Sequence, residues 1–167
     1  MDIPYPPDLP PGALLSIIYR SRNRLLADWA AQAGIPVAVV GPLIYLSTHP
    51  GATQDEISQR MLLDKAAVAR AIRHLEEGGY LTRTPDPTNR RRYCISLTAA
   101  GILLATDAIT VADSLDRAMT ADIPEEAAPY LLPLLRSMAY TSSRLTETKD
   151  SIRNSIINDT DSTDTRY

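Results

Sequence analysis

The stretch Asp86-Pro87-Thr88-Asn89-Arg90-Arg91-Arg92-Tyr93 gathers three consecutive arginines behind a turn-forming Asp-Pro pair. Neighbouring guanidiniums repel one another, and nothing within the stretch neutralises more than one of them. Arginine stays charged at any physiological pH, and its planar fork matches phosphate. These residues therefore call for an external polyanion. A second basic group, Lys65, Arg70 and Arg73, lies on a segment whose apolar residues Val68, Ile72 and Leu75 recur at helical spacing, which turns the cations away from the core. Arginine on such a face most often reads guanine in the DNA major groove, and Ala66 and Ala67 can touch a thymine methyl. Thr53, Gln54 and Lys65 stand near expected helix N-termini, where phosphate is held. Arg90 is assigned to a minor groove, where narrowness concentrates negative potential, with Arg91 or Arg92 on the backbone. Asp86 and Pro87 support the turn that carries them, and Asn89 on that turn is counted with the arginines among the expected DNA contacts.

Other chemistries lack a constellation. The sequence offers no Ser/His/Asp set, no paired catalytic carboxylates and no phosphate-cradling glycine loop, so an enzyme is not expected. His49 and His74 stand apart from any Cys/Asp/Glu cluster at ligand spacing, so neither metal nor cofactor is expected. Cys94 is the single cysteine, which excludes an internal disulfide; its expected place on a wing strand favours an inert or merely exposed thiol over an oxidation sensor. Trp29, Tyr45 and His49 could line an effector pocket between helices; core packing is the competing reading for the two aromatics.

The elements that must position these residues follow from local signals. Residues 1–12 are rich in proline and read as an extended arm. Leu14, Ile18, Leu25 and Trp29 mark a first helix that Gly34 stops, and Pro36 opens a second, apolar on most sides. Gly41-Pro42 inside it predicts a kink or a late start. Thr53 and Glu56 form a capping box for a short third helix; Asp64 caps a fourth that Gly78-Gly79 ends. Residues 80–84 and 92–97 read as strands joined by a turn, with Tyr93, Ile95 and Leu97 on the buried face. Thr98 caps a long helix, 99–121, whose stripe is Leu104, Ala108, Val111, Leu115 and Met119. A last helix is expected from about Tyr130 to Lys149, with Pro133 in its first turn. The polar residues 150–167 read as a tail that is partly disordered.

A short helix, a turn, a helix with a basic outer face and a β-hairpin make a winged helix-turn-helix. The fold class is mainly α with a small β-hairpin wing. A DNA-binding lobe spans 36–98, and helical dimerisation segments span 13–35 and 99–149. The net charge of −3 does not oppose this reading, because affinity for DNA comes from a local patch. The longest apolar runs fall short of the roughly 18 residues that suggest a membrane span. The expectation is a soluble cytoplasmic protein without membrane contact.

At this point TQDEIS, DKAAVARAIRHLEEGGYLTR and DPTNRRRYCISLTAAG together resemble the multiple antibiotic resistance regulator (MarR) family of transcription factors. The family pattern Asp-Pro-x-Asp-Arg-Arg, then Leu-Thr-x-x-Gly after a short strand, matches Asp86, Pro87, Arg90, Arg91, Leu97, Thr98 and Gly101. Asn89 stands where the pattern has Asp, and Ala66 and Ala67 stand where Ser or Thr is frequent. The resemblance covers roughly residues 13–148. It implies a homodimer whose first, fifth and sixth helices interleave through Leu14, Ile17, Ile18, Val111, Leu115, Leu131, Leu132, Leu135 and Met138. It also implies a near-palindromic operator in double-stranded DNA, and a repressor whose affinity responds to a small molecule or other signal. The alternative is a winged-helix protein-interaction module that does not bind DNA; such a module has no need of Arg90 to Arg92.

Overall fold

The structure is a computed structural model that describes residues 5–87, 89 and 92–147, the last two as backbone. In chain order the elements are α1 (Pro11–Gln32), α2 (Val37–Thr48), α3 (Gln54–Met61), α4 (Lys65–Glu77), β1 (Leu81–Pro85), β2 (Tyr93–Leu97), α5 (Ala99–Thr120) and α6 (Ala128–Glu147). Residues through Ala121 form one compact unit, and those from Asp122 onward a second.

The first unit is organised around α2, which packs against α1, α3, α4, α5 and β2. Its sequence permits this, being apolar on most sides. Leu43 and Leu46 are fully buried, together with Ile57 of α3, Val68, Ile72 and Leu75 of α4, and Ile95 of β2. Each such burial is worth about 1.5–3 kcal/mol relative to exposure, so the two helices and the wing strand are fastened to one core. α2 begins at Val37, before Gly41-Pro42, and continues through Pro42; the late start does not occur. The pyrrolidine removes the N–H that the Ala38 carbonyl would accept, and burial of Pro42 in the core offsets that loss.

Three stretches differ from expectation. Helix α1 begins at Pro11, inside the segment read as an extended arm, because proline suits the first helical position, where no N–H is needed. In α5 the buried stripe is Gly101, Ala105, Ala108 and Ala112; Val111 and Leu115 are half-buried, and Met119 is exposed. The small residues let α2 and α5 approach closely, and the larger ones rotate outward. In the second unit, α6 begins at Ala128, after a turn in which the Ala127 and Ala128 amides donate to Pro124 O at 2.9 and 3.1 Å. Pro133 therefore lies inside the helix and not in its first turn, and the Pro129 carbonyl loses its helical partner. The polar tail, 150–167, lies outside the described residues.

Candidate nucleic-acid interface

The α3–α4 pair is held by local polar bonds that the sequence encodes. Thr53 N–H donates to Glu56 Oε2 at 2.7 Å, and Glu56 N–H donates to Thr53 Oγ1 at 3.3 Å, completing the capping box. This arrangement holds the Glu56 carboxyl below the ordinary glutamate value, the backbone bond from Thr53 first and its hydroxyl next. The turn passes through Leu62 in the left-handed region, at φ 53. Ser58 Oγ donates to Leu63 O at 2.6 Å, and Leu63 N–H donates to Ser58 O at 3.1 Å, clamping the turn from both sides. Asp64 then caps α4 by accepting from Ala67 N–H at 2.7 Å.

With the angle between the helices fixed by these bonds, the outer face of α4 is set by periodicity. Val68, Ala71, Ile72 and Leu75 are buried. At 3.6 residues per turn the opposite line runs Ala66, Arg70, Arg73, and all three are exposed. Ala67 flanks this line, half-buried. Lys65 projects toward α3 and meets Asp55, Nζ to Oδ1 at 2.7 Å. The Asp55 carboxyl is held below its ordinary value, chiefly by that bond and the charge of Lys65, with Arg92 adding to it.

The wing is a two-stranded antiparallel hairpin in the register Leu81 to Leu97, Arg83 to Ile95 and Pro85 to Tyr93. Its base is anchored twice. Ile95 N–H donates to Ala52 O at 3.0 Å and Gly51 N–H to Ile95 O at 2.8 Å, so the turn after α2 supplies a bridge as a third partner, which the sequence reading missed. Tyr80 O accepts from Thr98 N–H at 3.0 Å, beside Gly101, where an added Cβ would lie 1.9 Å from that same oxygen. The Gly of Leu-Thr-x-x-Gly is thus required by contact between α5 and the wing base. At the tip, Asp86 N–H donates to Arg92 O at 3.0 Å, Asn89 N–H to Asp86 O at 3.2 Å and Arg92 N–H to Asn89 O at 2.8 Å. Pro87 is exposed on this turn. Arg90 and Arg91, assigned to the minor groove and the backbone, lie outside the described residues. Tyr93 is a correction: at 50% exposure it does not share the buried face with Ile95, because the hairpin has left the core by that point.

Thr53, Gln54, Asp55, Arg83, Arg92 and Tyr93 line one cleft of about 150 Å³ between the start of α3 and the wing. It brings Thr53 and Gln54, expected at a helix N-terminus, together with Arg92 of the wing, although Thr53 itself is 9% exposed. Two residues were missed. Arg83 reaches from β1 to α4, where its Nη2 pairs with Glu76 Oε2 at 2.7 Å, tying the wing to the helix. Strand alternation from Leu81 could have placed it on that side. Asp55 gives no such signal, because its partner depends on the turn between helices. Elsewhere, Tyr45 and His49 stack with centroids 4.2 Å apart and planes 3° from parallel, while Trp29 packs half-buried against the core. Among the described residues no group of three His, Cys, Asp or Glu could hold a metal, and no single helix is long and apolar enough to cross a membrane.

A capped helix pair with a cationic outer line, followed by an anchored hairpin, defines a winged helix-turn-helix protein. Comparison with known proteins narrows this. Residues 33–92 match the MarR family model. A protein assigned as transcriptional regulator of the hcr operon in Thauera aromatica is 32% identical over 69 residues, 41% of this chain and 42% of that relative, so the match spans under half the relative's length. The transcriptional regulator HosA of Escherichia coli O111:H- is 28% identical over 93 residues, 56% of this chain and 69% of HosA. A crystal structure of MarR superposes with a TM-score of 0.77 at 29% identity, covering 86% of this chain and 97% of that one. A MarR transcriptional regulator from Methanosarcina mazei Go1 gives a TM-score of 0.76 at 25% identity, with 80% and 96% covered. Residues 33–92 thus resemble the MarR family, and the fold around them is that of MarR winged-helix structures.

Proposed function

We propose that the chain is a homodimeric regulator that binds double-stranded DNA sequence-specifically and represses transcription by occupying a promoter, with affinity set by a small molecule or other signal. The observation that carries this reading is the outward line Ala66, Arg70, Arg73, placed opposite the buried face of α4 and beside a basic wing. The major groove admits one helix, and α3 props α4 for that entry. Arg70 and Arg73 would meet base edges. Lys65, Gln54 and Thr53 would face phosphates with Arg92, and Arg90 and Arg91 would extend the contact along the duplex.

Uncovered apolar surface supports dimerisation. In the first unit Leu14 and Ile18 are exposed on α1, with Ile17, Val111 and Leu115 half-buried. In the second, α6 exposes Leu132, Leu134, Leu135 and Met138, with Leu131 half-buried. A two-fold axis would place two α4 helices one duplex turn apart, about 34–36 Å, on a near-palindromic site. A signal that changes this spacing would prevent simultaneous docking of both lobes, and affinity falls because the half-sites act together. Trp29, Tyr45 and His49 are the proposed contacts for such a signal. The names carried by the relatives favour regulation over catalysis, and we place the chain in the cytoplasm on the same ground.

The test is binding to a duplex from the protein's own upstream region across a salt series. The logarithm of affinity should fall linearly with the logarithm of salt, and Arg90→Ala should weaken binding several-fold without shifting the melting temperature. Affinity independent of salt would refute the phosphate contacts. A solution mass equal to one chain would refute the dimer.

A further inference from the structure

We propose that Asp55 restrains the sequence-independent grip of this interface on DNA, by holding the Lys65 ammonium and fixing one negative charge among cations that meet phosphate. This rests on the DNA-binding reading above.

The carboxylates near the interface differ in what they do. Glu56 closes the capping box, Asp64 caps α4, and Glu76 holds Arg83 against the wing. Each has a structural task. Asp55 stands at the second residue of α3, caps nothing that the hydrogen bonds reveal, and pairs with Lys65 at 2.7 Å. Both partners are largely open to water, at 51% and 82% side-chain exposure, so the pair adds little to fold stability. Its effect is on the field. Asp55 lines the cleft with Arg83 and Arg92, at the helix end where N–H groups and the dipole favour an anion. In the free protein that anion is the protein's own carboxylate. A duplex laid across α3 and the wing would bring phosphate to the same place. Lys65 would then have to leave Asp55 or be shared with it, and the carboxylate would repel the incoming phosphate. Either way the interface displaces about one counterion fewer than its cations could. The loss falls equally on every sequence, because phosphates carry no base identity. The assignment of Lys65 to phosphate is thereby refined: its charge is offset by a neighbour in the free protein.

The test uses the full-length chain and a random-sequence duplex of about 30 base pairs, with affinity measured from low to high salt for the wild type, Asp55→Asn and Asp55→Glu. Neutralising one opposing charge should steepen the log–log salt slope by up to about 0.9 and tighten binding about fivefold near 0.15 M salt. Asp55→Glu keeps the charge and should match the wild type. A merely structural role would alter the melting temperature and leave the slope unchanged. Wild-type affinity and slope in Asp55→Asn, or equal tightening in Asp55→Glu, would overturn the proposal. A wild-type protein without salt-dependent binding would instead overturn the DNA-binding reading itself, so the two failures are distinguishable.

Discussion

Gly101→Ala sets two effects of opposite sign against each other. Gly101 lies in the first turn of α5, where alanine is favoured over glycine by about 0.8–1.0 kcal/mol on intrinsic helix propensity. A propensity argument therefore predicts stabilisation. The structure predicts the reverse. An added Cβ would lie 1.9 Å from Tyr80 O and 2.9 Å from Tyr80 C, both backbone atoms, and 3.2 Å from Leu97 Cβ. The helix and the wing base must separate by about 1 Å before the closest of these contacts becomes tolerable. Overpacking of this kind costs about 1–3 kcal/mol. The same carbonyl accepts the Thr98 N–H at 3.0 Å, and weakening that bond adds about 1 kcal/mol. After the propensity gain, the net loss is about 1–3 kcal/mol. Urea denaturation at fixed protein concentration should show a lower midpoint with an unchanged slope. DNA affinity should fall as well, because the hairpin leaves the chain at Tyr80 and re-enters at Thr98. A midpoint equal to or above the wild type would refute the steric reasoning.

Arg70→Ala should lower affinity for the selected operator about 5- to 150-fold, the equivalent of about 1–3 kcal/mol, with no change in melting temperature; equal losses on operator and random duplex would assign Arg70 to phosphate instead. Thr53→Ala should destabilise the protein by about 1 kcal/mol at neutral pH. Because Glu56 is held below its ordinary value of 4.5, the stability it contributes is fully present above that value and is lost as pH falls through the lower folded-state value. The difference between mutant and wild type should therefore narrow in acid denaturation, and a constant difference would show that the capping box is not linked to that proton. Ile18→Asp places a charge on a residue 47% exposed in one chain, so sedimentation should show a shift toward single chains. An intact dimer would remove this part of α1 from the interface.

How much of this was legible in the sequence depended on the range of the forces involved. Caps at Thr53, Asp64 and Thr98 were read correctly because both partners lie within three residues of each other. The outer line of α4 followed from a single period in one segment. The start of α6 and the buried stripe of α5 were misjudged. Pro133 is tolerable in more than one register, and the choice of Gly101, Ala105, Ala108 and Ala112 over larger residues depends on how closely α2 approaches. The bridge from Ala52 to Ile95 and the pairs Arg83–Glu76 and Lys65–Asp55 join separate elements, so no local pattern announces them. In the candidate site, residue type and face were readable, and which charges offset one another was not.

The bridge at Ile95 also constrains how such a chain can vary. Ile95 is held on one side by β1 and on the other by Ala52, so the hairpin cannot slip by a residue without turning its buried side chain outward. Beyond Pro85 and Tyr93 the backbone bonds among Asp86, Asn89 and Arg92 join residues of the turn itself. The base of the hairpin is thus a fixed socket, and loops of different length grafted beyond Pro85 and Tyr93 would test how far the proposed duplex contact depends on the reach of the tip.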